Sequence, residues 1–393
     1  MLSSFERGII TLINNALKSE NKTLPEDFDY SKVYNFGVKH QILPLLYYGG
    51  AGDQKFMASD IGNKMLYAVV SLIAISENQL YEIDKLCKEF DKNGIEYLKL
   101  KGSILKRLYP KVEMRLMSDA DILIKEDKRS EAEKVMSELE YTFVQDSDHE
   151  IIWKNHAIQI ELHKRIIATY QKDFYEYFGD GWKLAHKKSE DSFEYVMSLE
   201  DEFIYLFTHL AKHYREAGIG IKHMTDIYLF LSHYPELNLD YVYNELEKLK
   251  LLEFYKNVKR TLDVWFNDTE WDEISEFITA KIFESGVYGT KLAYIKAEAV
   301  RLSKGRSVKR ARSKKKLALA FPPYKKMCNI FPALKKAPIL LPFLWIWRLI
   351  KAVLFKRKKI GELNSEVDSY SQEEIDECRA ELDFVGLDFN FEV

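Results

Sequence analysis

The sequence predicts an α+β fold, a small mixed sheet flanked in sequence by N-terminal and C-terminal helical regions. Three features predict it. Apolar residues recur at helical spacing through 1–93 and again through 196–300. Between them, 94–195 switches to short alternating segments interrupted by helical ones. Asn93-Gly94 stands at the first switch as a helix stop. At 393 residues the chain is long enough for two or three domains.

In order, Phe5, Ile9, Ile10, Leu12, Ile13 and Leu17 set a first helix, and Pro25 with its acidic neighbours breaks the pattern. Val33 to Tyr48 reads as a helix or helix pair before the loop Gly49-Gly50-Ala51-Gly52. Residues 62–93 form a long helix with Leu66, Val69, Val70, Ile73, Leu80, Ile83 and Leu86 as its apolar stripe. Residues 95–100 alternate as a strand, 103–109 form a short helix stopped by Pro110, 120–124 form a second strand, and 126–139 a Glu/Lys-rich helix. Strands are predicted at 141–144, 150–154 and 157–163, the last two joined by a turn at Asn155-His156. Helices follow at 199–213, 221–233, 241–252, 254–266 and 272–300. The expected division is an N-terminal helical region 1–93, a core 94–195, a helical domain 196–300, a basic, Pro-containing amphipathic segment 301–360 and an acidic tail 361–393.

Composition narrows the class. The aromatics, 24 Tyr, 23 Phe and 6 Trp, supply a large core. Cys87, Cys328 and Cys378 are far apart and odd in number, which excludes a disulfide framework or a spaced metal knot and predicts a reducing, cytoplasmic setting. The start MLSSFERGIITLINN has neither a basic lead nor a long apolar run, so no signal peptide is expected. The net charge of −3 hides an asymmetry: 301–359 carries 19 Lys/Arg and no acid, and 360–393 carries eleven acids and one Arg. Separated blocks of this kind predict that the basic one meets something anionic.

The chemistry-bearing pattern is Lys101-Gly102-Ser103 at the end of one predicted strand, followed by Asp119-Ala120-Asp121 on the next. A glycine at a strand-to-helix corner lets backbone N–H groups approach phosphate oxygens, Ser103 adds a hydroxyl, and Lys101 adds a charge. Asp119 and Asp121 lie two apart on a strand and so point the same way, while Ala120, Ile122 and Ile124 form an apolar opposite face. Carboxylates so placed repel unless a cation lies between them, and Mg²⁺, one ion or two, suits oxygen ligands and phosphates. Gln159-Ile160-Glu161-Leu162-His163 offers a third acid: Glu161 is a metal ligand, a general base or an edge-strand residue. His163 orients a ligand, touches phosphate or packs as a structural imidazole.

These residues resemble the nucleotidyltransferase superfamily that includes DNA polymerase beta, whose signature is Gly-Ser or Gly-Gly, a spacer and Asp-x-Asp. The stretch YLKLKGSILKRLYPKVEMRLMSDADILI is similar to the bacterial family of uncharacterised nucleotidyltransferases. The resemblance covers roughly 60–300. It implies Gly102 and Ser103 on a triphosphate with Lys101 and Arg115 assisting, Asp119, Asp121 and Glu161 on metal, and roles for His209, Lys222 and Asp226 in substrate binding. The implied reaction moves a nucleoside monophosphate from a nucleoside triphosphate, with ATP the expected donor, to an acceptor of undefined kind: a small molecule, peptide or RNA. The spacer from Ser103 to Asp119 is longer than in the shortest superfamily members, so the intervening turn shapes the site differently. The competing reading keeps the fold as a non-catalytic scaffold associated with membrane or nucleic acid.

His209 and His213 are four apart on a helix, but Leu210 stands where a zinc protease needs glutamate, so the pair reads as a polar face near the cleft or as a packing network. The segment 317–359 combines a bulky apolar run with Trp345, Trp347 and the cluster Lys356–Lys359; Pro342, Arg348 and Lys351 interrupt it. It predicts an interfacial segment on an anionic membrane at the inner face, with nucleic-acid binding or packing on the chain's own helices as alternatives.

Overall fold

The computed structural model describes residues 2–287, 321–355 and 371–387, with isolated positions between 289 and 320. Its contacts divide into two compact units, one of 1–214, 218–289 and 385–393, the other of 215–217 and 290–384. The first holds the sheet, and the fold is α+β.

The chain enters through α1 (Ser4–Lys18), whose first turn is closed by a capping box between Ser3 and Glu6. The predicted helix or pair at 33–48 is a pair, α2 (Val33–Lys39) and α3 (Leu43–Gly49), followed by a short α4 (Gln54–Ala58). The long helix α5 spans Asp60–Lys92 and is capped by Ser59. Its buried stripe is Met65, Val69, Leu80, Ile83 and Leu86. Leu66 and Val70, expected in that stripe, are 40% and 58% exposed. Each follows an inward residue by one position, which at 3.6 residues per turn swings it about 100° away from the core.

Seven strands form one mixed sheet in the order β3-β4-β5-β2-β1-β7-β6. They are β1 (Tyr97–Leu100), β2 (Asp119–Ile124), β3 (Thr142–Asp146), β4 (Glu150–Lys154), β5 (Gln159–His163), β6 (Ala185–Lys187) and β7 (Glu194–Met197). The predicted turn between β4 and β5 is tied by Asn155, whose Oδ1 accepts from Ala157 N and Ile158 N at 2.9 Å each. The hairpin β6–β7 went unread in the sequence because its turn, Lys188 to Ser192, is polar and its strands are only three and four residues long. The short helices α6 (Gly102–Leu105), α7 (Arg129–Glu138) and α8 (Lys172–Phe178) interrupt the strands.

β2 pairs with β1 antiparallel and with β5 parallel, with Asp119 opposite Gln159 and Asp121 opposite Glu161. Ala120, Ile122 and Ile124 of β2 and Ile160 and Leu162 of β5 face one core with Ile83, Leu86 and Phe90 of α5 and Val135 of α7. Parity then forces the acids to the other face. That face is covered by α9 (Leu199–Glu216) and α10 (Ile221–His233). Helices α11 (Leu239–Lys248), α12 (Leu252–Phe266) and α13 (Glu273–Ser285) complete the unit. At the end of the chain Leu387 is buried and Asn257 of α12 donates to Val385 O at 3.1 Å, whereas Phe384 is exposed. Phe389 and Phe391 lie outside the described residues.

In the second unit a helix Tyr324–Ile330 and a helix Leu341–Phe355 are joined through Pro-led turns. Met327, Cys328 and Leu334 pack with Phe331, Leu341, Leu344 and Trp345. Among the described residues no helix is long and apolar enough to cross a membrane.

Candidate active site

The corner after β1 is built around Lys101, whose φ of 44° and ψ of −113° place a non-glycine residue in a region that costs on the order of 1–3 kcal/mol. The strain turns its side chain to Asp121: Lys101 Nζ donates to Asp121 Oδ1 at 2.8 Å, and both groups are largely buried. His163 Nε2 lies 2.8 Å from the same oxygen. Burial alone opposes ionisation of Asp121, but Lys101 and His163 outweigh it and hold the carboxyl well below its usual range. Burial also opposes the charge on Lys101, and Asp121 outweighs it.

For Glu161 and Asp119 the nearby cations are outweighed by burial and by the other acids. Burial, then Asp121, Asp119 and Glu150, push Glu161 up to about 8. Burial and Asp121 also raise Asp119. Glu150, on β4 opposite His163, is a further acid of this face that the sequence reading missed. Its signal was the two-residue parity of β4, which places Glu150 and Ile152 on the face shared with His163 and Glu161.

Ligand atoms of Asp121, Glu161 and His163 lie within 4.8 Å of one another. Asp119 is not in that set, although it lines the same cavity. That cavity has a volume of about 260 Å³ and is bounded by the acid face below and by α9 and α10 above. Gly102 belongs to its wall: a Cβ there would meet Arg115 Nη1 at 2.9 Å and Met117 Sδ at 3.0 Å, so the guanidinium lies against the glycine corner. Arg115 is held there by a bidentate pair with Asp226, at 2.7 and 2.8 Å, and Tyr109 donates to the same carboxylate at 2.8 Å. Asp226 therefore positions Arg115. Ser103 is buried, its Oγ has no hydrogen-bond partner, and it faces a neighbouring cleft instead of the acid cavity.

The opposite wall carries nitrogen. His209 Nε2 and His213 Nε2 are 3.1 Å apart, and the His213 and His223 rings are 6.0 Å apart. Burial, reinforced by Lys101 for His209 and by Lys212 for His213, drives both well below their usual value; burial and Lys222 push His223 down to about 4. Lys222 Nζ bonds the neutral oxygens Gln41 Oε1 at 2.8 Å and Leu116 O at 3.4 Å. Burial and Arg115 lower it to about 8. The cavity thus opposes an acidic, cation-seeking floor to a nitrogen-lined roof whose imidazoles are held neutral near pH 7 and whose charge comes from Lys222.

The family model described as an uncharacterised nucleotidyltransferase matches residues 26–267, more than half of the chain. The chain belongs to this nucleotidyltransferase family. The match takes in every strand of the sheet and both roof helices, and it begins earlier and ends sooner than the sequence resemblance implied. Membership gives this nucleotidyltransferase a transferase activity of the nucleotidyl class. Among solved structures, the antibiotic-resistance factor ANT(2'')-Ia aligns with 48% of this chain and 97% of its own at 12% identity and a TM-score of 0.32, a likeness too faint to carry an argument. No curated protein matches the chain.

Two outcomes test the geometry. Lys101→Gly and Lys101→Ala both remove the ammonium, but only Ala keeps a Cβ at positive φ; Ala is expected to be less stable than Gly by about 1 kcal/mol in urea denaturation. His223 has a folded value below its unfolded one, so its contribution is complete above about 6.5 and is lost as pH falls toward about 4. His223→Asn is expected to reduce the fall in stability between pH 7.5 and pH 4 by up to about 3 kcal/mol, read from urea midpoints.

Proposed function

We propose that this protein transfers a nucleoside monophosphate from a nucleoside triphosphate, ATP being the expected donor, to a hydroxyl or phosphate oxygen of an acceptor, with release of pyrophosphate. The observation that carries the reading is the convergence of Asp121, Glu161 and His163 at the floor of a cavity that Lys101, Arg115 and Lys222 also line. The donor set fits a divalent cation: carboxylate oxygens dominate, and the crowding that raises Glu161 is the repulsion a cation would relieve. Asp121 and Glu161 would hold it, with Asp119 beside them and His163 orienting Asp121. When bound, Mg²⁺ supplies charge neutralisation at the carboxylates and the triphosphate.

The chain's own residues do the rest. The Gly102 corner and the Arg115 guanidinium receive phosphate oxygens, and Lys222, bonded to neutral oxygens, contributes charge to the same wall. His209, His213 and His223, held neutral by burial, offer ring nitrogens as hydrogen-bonding groups along the roof. In its ionised form, which a bound cation would favour, Glu161 would take the proton of the acceptor O–H as that oxygen attacks the α-phosphorus. The bond from the α-phosphorus to the bridging oxygen breaks, and pyrophosphate carries away the electron pair. Positioning and charge neutralisation supply most of the acceleration.

A second observation concerns the other unit. The helix Leu341–Phe355 turns Phe343, Ile346, Trp347 and Ile350 to solvent, each about half exposed or more. Its 15 residues span about 22 Å, short of the ~30 Å hydrocarbon layer. This supports seating on an anionic membrane surface over spanning.

The transfer reading is tested by following α-labelled nucleoside triphosphates into small-molecule, peptide and RNA pools with Mg²⁺. Asp121→Asn is expected to lower transfer about a thousandfold or more, and Glu161→Gln by about 100- to 10,000-fold, with both variants folded by circular dichroism. Failure of the intact protein to bind any nucleoside triphosphate with Mg²⁺ by calorimetry would exclude transfer. For the membrane, flotation with vesicles rich in anionic lipid is expected to exceed flotation with neutral vesicles and to vanish on deleting 317–359.

A further inference from the structure

The parallel strands β1 and β7 pair only at Tyr97 with Glu194 and at Leu98 with Tyr195. Past that point each follows its other neighbour: β1 stays with β2 through Leu100, and β7 stays with β6 through Met197. The two carboxyl ends part, and a cleft of about 190 Å³ opens between them. Crevices of this kind, at the carboxyl ends of diverging parallel strands, are where open sheets take ligands. The walls include Leu98, Leu100, Val196 and Met197, and α6 and α9 close the cleft with Ser103, Glu202 and Tyr205.

Two of these side chains have buried polar atoms without hydrogen-bond partners, Ser103 Oγ and Glu202 Oε1. Tyr205 Oη has no partner of normal geometry, and Lys101 is the one group near enough to interact with it by charge and hydrogen bonding. Ser103 and Tyr205 are 3% and 1% exposed. Buried polar atoms are rarely left unpaired, and several facing one cleft mark a place built to be filled. At the rim Lys99 and Lys188 share the one carboxylate of Glu194, each at 2.8 Å, and Arg107 holds Asp84 at 3.0 Å; none of the three is paired with Glu202. Glu202 is left with an unanswered carboxyl, and burial alone pushes it up to about 7.

We propose that the β1–β7 cleft binds a small molecule with an apolar body and an ammonium head, the ammonium donating to Glu202 and the hydroxyls of Ser103 and Tyr205 completing its shell. The site is separate from the acid cavity and does not depend on nucleotidyl transfer. Lys101 lines both spaces, so an occupant would lie against the residue that holds Asp121.

The test uses full-length protein in an amine-free buffer and three probes of one size: n-butylammonium, butan-1-ol and butyrate, with binding followed by ligand-observed NMR and thermal shift. Saturable binding of n-butylammonium is expected in the millimolar range, at least tenfold tighter than butan-1-ol, with no binding of butyrate. Glu202→Gln is expected to weaken n-butylammonium at least tenfold while leaving calorimetric binding of ATP with Mg²⁺ unchanged. Val196→Phe, which fills the cleft without touching Glu202, is expected to abolish binding of the amine and the alcohol alike. Equal affinity for amine and alcohol, preference for butyrate, no binding of any probe, or amine binding that survives both substitutions would overturn the proposal.

Discussion

The structure depends on one electrostatic constraint: acids forced onto a single face of two adjoining strands. Ala120, Ile122 and Ile124 must enter the core, so Asp119 and Asp121 must leave it, and the pairing of Asp121 with Glu161 across β2 and β5 puts a third carboxyl beside them. Such a face is stable only with positive charge, with protons, or with both. Asp121 takes the first route through Lys101 and His163, and Glu161 takes the second by holding its proton. The strained backbone at Lys101 is the local cost of bringing the ammonium to that spot.

Beside the acids this logic repeats with the sign reversed. Arg115 is a buried cation whose bidentate partner Asp226 comes from α10, so one desolvated pair ties that helix to the glycine corner. Removing either partner would leave a buried charge unmatched. Lys106 adds a neutral tie beneath: buried, it donates to Ser76 Oγ of α5 at 3.0 Å and to Arg115 O at 2.9 Å. The family match, ending one residue past α12, takes in this whole frame.

Much of this was legible in the chain. The parity of Asp119 and Asp121 against Ala120, Ile122 and Ile124 gave the acid face, and the alternation in 158–163 gave Glu161 its side. The stop at Asn93 and the boundaries of the helices from 199 to 266 followed from apolar spacing and came within a few residues. Less was legible where an element is short or polar. β6 and β7 are three and four residues long, too short to show an alternating period, and with them went the cleft that Glu202 faces. The outward turn of Leu66 and Val70 was hidden as well, because a run of consecutive apolar residues fixes a helix without fixing which of them faces inward.

The sequence by itself determined which residues share a face, since that follows from the fixed period of a strand or helix. Only the tertiary structure decided which charges answer one another: that Lys101 and His163 go to Asp121 and Arg115 to Asp226, while Glu161 and Glu202 have no cation that outweighs their burial. The physical reason is that charge pairing and desolvation act through space over a few ångströms, between residues as far apart in the chain as Arg115 and Asp226.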